Sequence, residues 1–108
     1  DVGSKGPGYS EHENLIQKKV AQGTKDLSAG PAMSRDECVR AVELGIMLGD
    51  EAKAEGIRCL GTGEMGIGNT TPSTALYCAY LGLDPFEISG PGTGLDDKGI
   101  RHKAEVIA

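Results

Sequence analysis

The sequence predicts an α/β fold, a partial open parallel sheet with flanking helices that forms part of a larger domain. Three observations predict it. A long helical pattern, residues 35–55, runs into a short apolar segment, Ile57-Arg58-Cys59-Leu60. That segment is followed by a glycine-rich turn and a second helical pattern, residues 72–81. Residues 86–108 then repeat the order of strand, glycine-rich turn and helix. A helix feeding a short apolar strand and then another helix is the rhythm of a parallel, Rossmann-like sheet.

Asp1-Val2 reads as the tail of a strand, and residues 3–14, polar and rich in glycine, as a mobile loop. Leu15 to Val20 reads as a short strand. Gly23-Thr24-Lys25-Asp26 and Gly30-Pro31-Ala32-Met33 form an irregular stretch, either a surface linker or a segment crossing the mouth of a site. Ser34-Arg35-Asp36-Glu37 is a capping box. The helix it opens carries Cys38, Val42, Ile46 and Gly49 at roughly helical spacing. Val39, Ala41, Leu44, Leu48 and Ala52 widen the stripe, and Gly45 and Gly49 permit close packing. Gly56 stops this helix.

The organising stretch is residues 61–72, with Gly61, Gly63, Gly66 and Gly68, one carboxylate (Glu64), and Asn69-Thr70-Thr71 before Pro72. Thr71 is the expected N-cap and Pro72 the first helical residue, with Gly82 closing the helix. Asp84-Pro85 reads as a turn and Phe86-Glu87-Ile88-Ser89 as a second strand. Gly90-Pro91-Gly92-Thr93-Gly94 is the second glycine-rich turn, after which Asp96 or Asp97 caps a helix running to the C-terminus. In an open parallel sheet both turns lie on the ligand-binding edge. Arg101, His102 and Lys103 fall one to two turns into that last helix. A lysine there either reaches back toward an anion held between the turns or is a solvated surface charge.

Composition narrows the function. At 108 residues the chain is one domain at most. With one Phe and no Trp, its core is aliphatic. The 17 glycines cluster at turns, which points to close approach of a ligand rather than disorder. A net charge of −5 with dispersed lysines and arginines argues against nucleic acid or an anionic membrane as partner. No apolar run reaches membrane-span length and no signal peptide is visible. Cys38, Cys59 and Cys78 lack metal-ligand spacing and read as reduced, buried thiols of a cytoplasmic protein. Neither His12 nor His102 has a ligand partner in sequence, so no metal is expected. The sequence opens on Asp1 and stops within a helical pattern, as expected of a central fragment.

Strand, glycine turn and helix aim backbone N–H groups at an anion, with the helix N-terminus adding partial positive charge. Backbone that passes close to a phosphate or sugar has no room for Cβ atoms. Glu64 would repel a phosphate it faced. It fits a different part of the ligand, where a carboxylate takes a proton or stabilises developing positive charge. The plainer alternative is a tight turn with an exposed glutamate. Gly61, Gly63 and Gly66 also satisfy G-x-G-x-x-G, and Asp84 and Glu87 stand at the distance of the acid in a dinucleotide site. The helix starts too late for that fingerprint, and Asp84 lies in a turn.

Residues Gly63 to Thr71, reading G-E-M-G-I-G-N-T-T, resemble the nicotinate-nucleotide–dimethylbenzimidazole phosphoribosyltransferase family. Asp1-Val2-Gly3, Gly23 to Asp26, Pro31 to Met33, and Gly90 to Asp96 with Lys103 extend the resemblance over most of the chain. It implies transfer of the phosphoribosyl group of nicotinate mononucleotide to 5,6-dimethylbenzimidazole, without metal or cofactor, giving α-ribazole phosphate for cobalamin synthesis. It implies backbone contacts from Gly63, Gly66, Gly68 and Gly92, charge from Lys103 on the 5′-phosphate, and ribose or phosphate contacts from Asn69, Thr70 and Thr71. Glu64 matches a carboxylate near the reacting centre, and a homo-oligomer, a dimer in the family, is implied. Asp26 stands where many relatives have Asn. Two other readings stay open: an NAD-type dinucleotide-binding half-domain, and a non-catalytic, self-associating structural fragment. The family's principal general base lies near the C-terminus of the full-length enzyme and its benzimidazole pocket largely upstream, so this chain alone is expected to be inactive. Incubation with nicotinate mononucleotide and dimethylbenzimidazole checks this, and release of nicotinate would overturn it.

Overall fold

A computed structural model describes residues 1–108, which form two compact units, Asp1–Gly61 and Thr62–Ala108. The first contains one helix, α1 (Arg35–Ala54). The second contains three, α2 (Thr70–Leu81), α3 (Pro85–Ile88) and α4 (Asp97–Ile107), which pack on one another. No helix is long and apolar enough to cross a membrane.

The structure contains no β-strand, which corrects the expected partial parallel sheet. Isolated strands are not stable, because their N–H and C=O groups need a ladder partner. Residues 57–60 have none and are exposed. At the start of the chain a ladder begins and stops. The Asp1 amino group donates to the Ile16 carbonyl at 2.6 Å, and the Asp1 carbonyl accepts from the Lys18 N–H at 2.9 Å, the bonding of a parallel pair. The Asp1 carboxylate then takes the N–H groups of Gly3 and Ser4, at 3.1 and 2.8 Å, and diverts the backbone from the ladder.

Residues 86–89 are corrected too. Asp84 is an N-cap, its carboxylate accepting from the Phe86 N–H at 2.8 Å, and Pro85 takes the first helical position. The pair that reads as a turn is also a helix start signal, and it nucleates the single turn α3.

The first unit is held by polar ties. Lys19 pairs with Asp1 at 3.4 Å and donates to the carbonyls of Ser4 and Gly6. Gln17 exchanges two hydrogen bonds with the Tyr9 backbone, at 2.7 and 2.8 Å. The segment 3–14, expected to be a mobile loop, is thus pinned at several points. Asp26 accepts from the Ser28 N–H and hydroxyl, which hold its carboxyl below the ordinary value and close a local turn.

The capping box is realised, with Ser34 N–H on Glu37 at 2.7 Å and Glu37 N–H on Ser34 Oγ at 3.2 Å. Gly56, at φ +77°, ends α1, with Gly56 N–H on the Lys53 carbonyl and Ile57 N–H on the Ala52 carbonyl, the two bonds of a Schellman motif. The inward stripe of α1 is Ala41, Leu44, Leu48 and Ala52. Val42 and Ile46 are exposed, as is Cys38, so the other apolar stripe faces solvent. No atom lies within 4 Å of a Cβ added at Gly45 or Gly49, so the close packing they permit is not used. The thiols are free, but Cys38 and Cys59 are exposed and Cys78 is half-buried, against the expectation of burial.

The cap gives a pH test. The Ser34 backbone N–H, and after it the Ser34 hydroxyl, hold the Glu37 carboxyl below its ordinary value of 4.5, so its contribution is complete above that pH and is lost as pH falls through the lowered value. Ser34→Ala costs about 1 kcal/mol of α1 stability. Glu37→Gln, which still caps, should flatten the acid dependence, and circular dichroism during acid titration of the variants checks both.

Candidate functional site

In the second unit, the sequence dictates which face of α4 turns inward. Ile100, Lys103, Ala104 and Ile107 recur at helical spacing and form its covered face, while Lys98, Arg101, His102 and Glu105 are exposed. Asp96 caps the helix, accepting from the Gly99 N–H at 2.8 Å. Arg101 and His102 lean on Glu105 at 3.4 and 3.7 Å, in solvent. Of the three consecutive basic residues only Lys103 points inward, and it is 6% exposed.

Lys103 Nζ donates to Thr70 Oγ1 at 3.2 Å and to the Gly90 carbonyl at 3.3 Å, and it forms no ion pair. Thr70 is the first residue of α2. The ammonium is therefore held at the positive end of a helix dipole with no compensating carboxylate. Burying a cation without a counter-charge is costly, and a helix N-terminus adds to that cost. Such an arrangement suits an anion.

The N-terminus of α2 has no side-chain cap. Its N-cap is Asn69, not the expected Thr71, and the Asn69 side chain makes no capping bond. Thr71 sits in the first turn, half-buried. Instead of capping, Asn69 Nδ2 donates to Glu64 Oε2 at 2.5 Å. Asn69 Oδ1 is buried without a partner, as is Ser89 Oγ.

Gly92 is the one glycine of the two turns whose lack of a side chain the packing demands. Its φ is +56°, and a Cβ there would meet Thr70 Oγ1 at 2.9 Å. Gly63, Gly66 and Gly68 lie in the exposed segment before α2, and an added Cβ at any of them meets open space. Gly66 and Gly68 have φ of +81° and +77°, so they serve backbone conformation. No backbone carbonyl accepts from the N–H of Gly66, Gly68 or Gly92.

Of the sequence-predicted residues, Thr70, Gly92 and Lys103 thus form one cluster and Glu64 with Asn69 a second. The two adjoin in sequence at Asn69-Thr70, and no hydrogen bond or ion pair links Glu64 to Lys103. Sequence reasoning missed the Gly90 carbonyl as a Lys103 partner and Ser89 as an unpartnered hydroxyl. Their only signal was their place at the entry to the second glycine turn. The G-x-G-x-x-G match fails on geometry: α2 begins at Thr70, beyond Gly66, and no strand precedes it.

Residues 1–108 match the profile of a family described as phosphoribosyltransferase. The chain is 61% identical over 107 residues to the nicotinate-nucleotide–dimethylbenzimidazole phosphoribosyltransferase of Nitratidesulfovibrio vulgaris (strain DP4), covering 99% of this chain and 30% of that protein. It is 54% identical over 107 residues to the protein of the same name from Oleidesulfovibrio alaskensis, again covering 99% of this chain and 30% of the relative. The crystal structure of CobT from Thermus thermophilus superposes with a TM-score of 0.87 at 41% identity, covering 99% of this chain and 31% of that one. The chain thus spans about 30% of the length of the curated relatives it matches.

The two glycines of the second turn should differ under substitution. Gly92→Ala forces a Cβ into the left-handed region and onto Thr70, and is expected to cost about 1–2 kcal/mol. Gly90→Ala, with no positive φ and no atom within 4 Å, is expected to be near neutral. Urea denaturation followed by circular dichroism compares them.

Proposed function

The chain belongs to the nicotinate-nucleotide–dimethylbenzimidazole phosphoribosyltransferase family, and on that premise we propose that it holds the phosphoribosyl end of nicotinate mononucleotide. The whole protein then transfers that group to 5,6-dimethylbenzimidazole, giving α-ribazole phosphate for the lower ligand of cobalamin. Residues 1–108 are, in this reading, the central part of the nucleotide-binding domain of a cytoplasmic homo-oligomer. The names of the relatives and the match over the full chain support the reaction. Exposed apolar side chains on α2, namely Leu76, Tyr77, Tyr80 and Leu81, support assembly with further chain.

The observation that carries the reading is the buried Lys103 ammonium, unpaired and set against the N-terminus of α2. A 5′-phosphate there accepts from the third N–H of Lys103 and from the open N–H groups of the first turn of α2. Its charge offsets both the ammonium and the helix dipole. Gly66, Gly68 and Gly92 offer further backbone donors from the two turns, and Gly63 keeps the approach free of a side chain.

Glu64 takes the other end of the ligand. Phosphoribosyl transfer develops positive charge on the ribose as nicotinate departs and releases a proton from the attacking benzimidazole nitrogen. A carboxylate beside the phosphate cradle stabilises the first or accepts the second. Asn69 holds that carboxylate through its amide and keeps Oδ1 free to accept from a ribose hydroxyl. Thr71, on the first turn of α2, completes the polar lining.

Calorimetric titration with nicotinate mononucleotide, beside NAD, tests the reading. The mononucleotide should bind and NAD should not. Lys103→Ala should weaken mononucleotide binding by about tenfold or more, the worth of a charge-assisted hydrogen bond. Glu64→Gln should leave affinity within about twofold, since an amide keeps the bond to Asn69. NAD binding indifferent to Lys103→Ala would replace this reading with the dinucleotide one.

A further inference from the structure

Lys103 is the charge at the site, but its aim is set by another residue. The ammonium has three N–H groups, and two are spent on Thr70 Oγ1 and the Gly90 carbonyl. Two fixed acceptors determine the direction of the third. The carbonyl belongs to the backbone, so the acceptor that a side-chain change can alter is the Thr70 hydroxyl.

The Thr70 backbone carbonyl accepts from the Thr74 hydroxyl at 2.7 Å, one turn further along α2. The Thr70 hydroxyl occupies the space that a side chain at position 92 would need, 2.9 Å from where a Cβ would stand. Gly92 lies in a different turn, so the second glycine turn has been shaped around the Thr70 hydroxyl.

We propose that Thr70 is the positioning residue of the anion site: its hydroxyl oxygen aims the Lys103 ammonium, and position 92 is glycine so that the hydroxyl can stay there. This gives Thr70 a role through Lys103 rather than through direct contact with the ligand. It rests on the reading of Lys103 as the phosphate ligand.

The test is a double-mutant cycle on binding of nicotinate mononucleotide, using Thr70→Val, Thr70→Ser and Lys103→Met. Valine matches threonine in shape and lacks the acceptor, while serine keeps it. Thr70→Val should weaken binding about tenfold, the worth of a hydrogen bond to a charged group. Thr70→Ser should stay within about twofold of the parent. In a chain that already carries Lys103→Met, Thr70→Val should cost nothing further. A second readout needs no ligand: the Lys103 ammonium resonance in nitrogen-15 spectra should persist in the parent and in Thr70→Ser and broaden or shift in Thr70→Val. Equal losses from Thr70→Val with and without Lys103→Met, or an ammonium resonance unchanged by Thr70→Val, would overturn the positioning role while leaving the phosphate site intact. Binding unaffected by Lys103→Met would instead strike the phosphate reading itself, and the positioning role with it.

Discussion

The second unit is organised by a buried cation that has no anion. Lys103 occupies a position on α4 that its helical period assigns to the interior, between Ile100, Ala104 and Ile107. A hydrophobic residue there would bury apolar surface worth about 2 kcal/mol. The chain instead places an ammonium against the first residue of α2, where the helix dipole opposes it. Two acceptors, a hydroxyl and a carbonyl, are all the protein gives it. Stability alone does not select that arrangement. A ligand that brings a negative charge turns each unfavourable feature into part of its own binding energy.

The surrounding elements follow from holding that ammonium. The single turn α3 packs against α2 and α4 and delivers the chain to Gly90, whose carbonyl is the second acceptor. Gly92 then takes a left-handed conformation that keeps side-chain atoms off Thr70. The glycines of the first turn work differently. Gly66 and Gly68 have positive φ but open space around them, so they shape the backbone without being packed against anything. Glycine density alone does not separate these two uses, and only the position of Thr70 reveals which glycine is sterically required.

What was legible in the sequence follows the range of the interaction. Local chemistry was readable: the Ser34–Glu37 box, the Gly56 and Gly82 stops, and a cap at Asp96 or Asp97, which the structure places at Asp96, are fixed by residues within four positions of one another. The strands were not, because a strand is defined by its partner. Residues 57–60 have the composition of a buried strand and no neighbour to pair with, so they remain irregular. Asp84-Pro85 had two local meanings, and the capping bond to Phe86 chose the helical one. On α1 both apolar stripes were visible, but which one is covered depends on what packs against it. Lys103 was legible as a candidate only. Its neighbours Arg101 and His102 are exposed side chains, and the choice among the three rests on the phase of α4.

The same contrast separates structural helix starts from the one at the site. The starts of α1, α3 and α4 are each closed by a side-chain oxygen, from Ser34, Asp84 and Asp96 respectively. The start of α2 is not, although Asn69 occupies the cap position and is among the best residues for that task. Its amide is turned to Glu64, and its oxygen is buried without a donor. A cap there would occupy an N–H of the first turn of α2 and would leave the Glu64 carboxylate without its hydrogen bond. Leaving α2 uncapped forgoes a stabilising bond at the place where Lys103, Thr70 and Glu64 lie closest in sequence or contact. These departures from good local chemistry fall together around Asn69 and Thr70, and the proposed anion site is read from that coincidence.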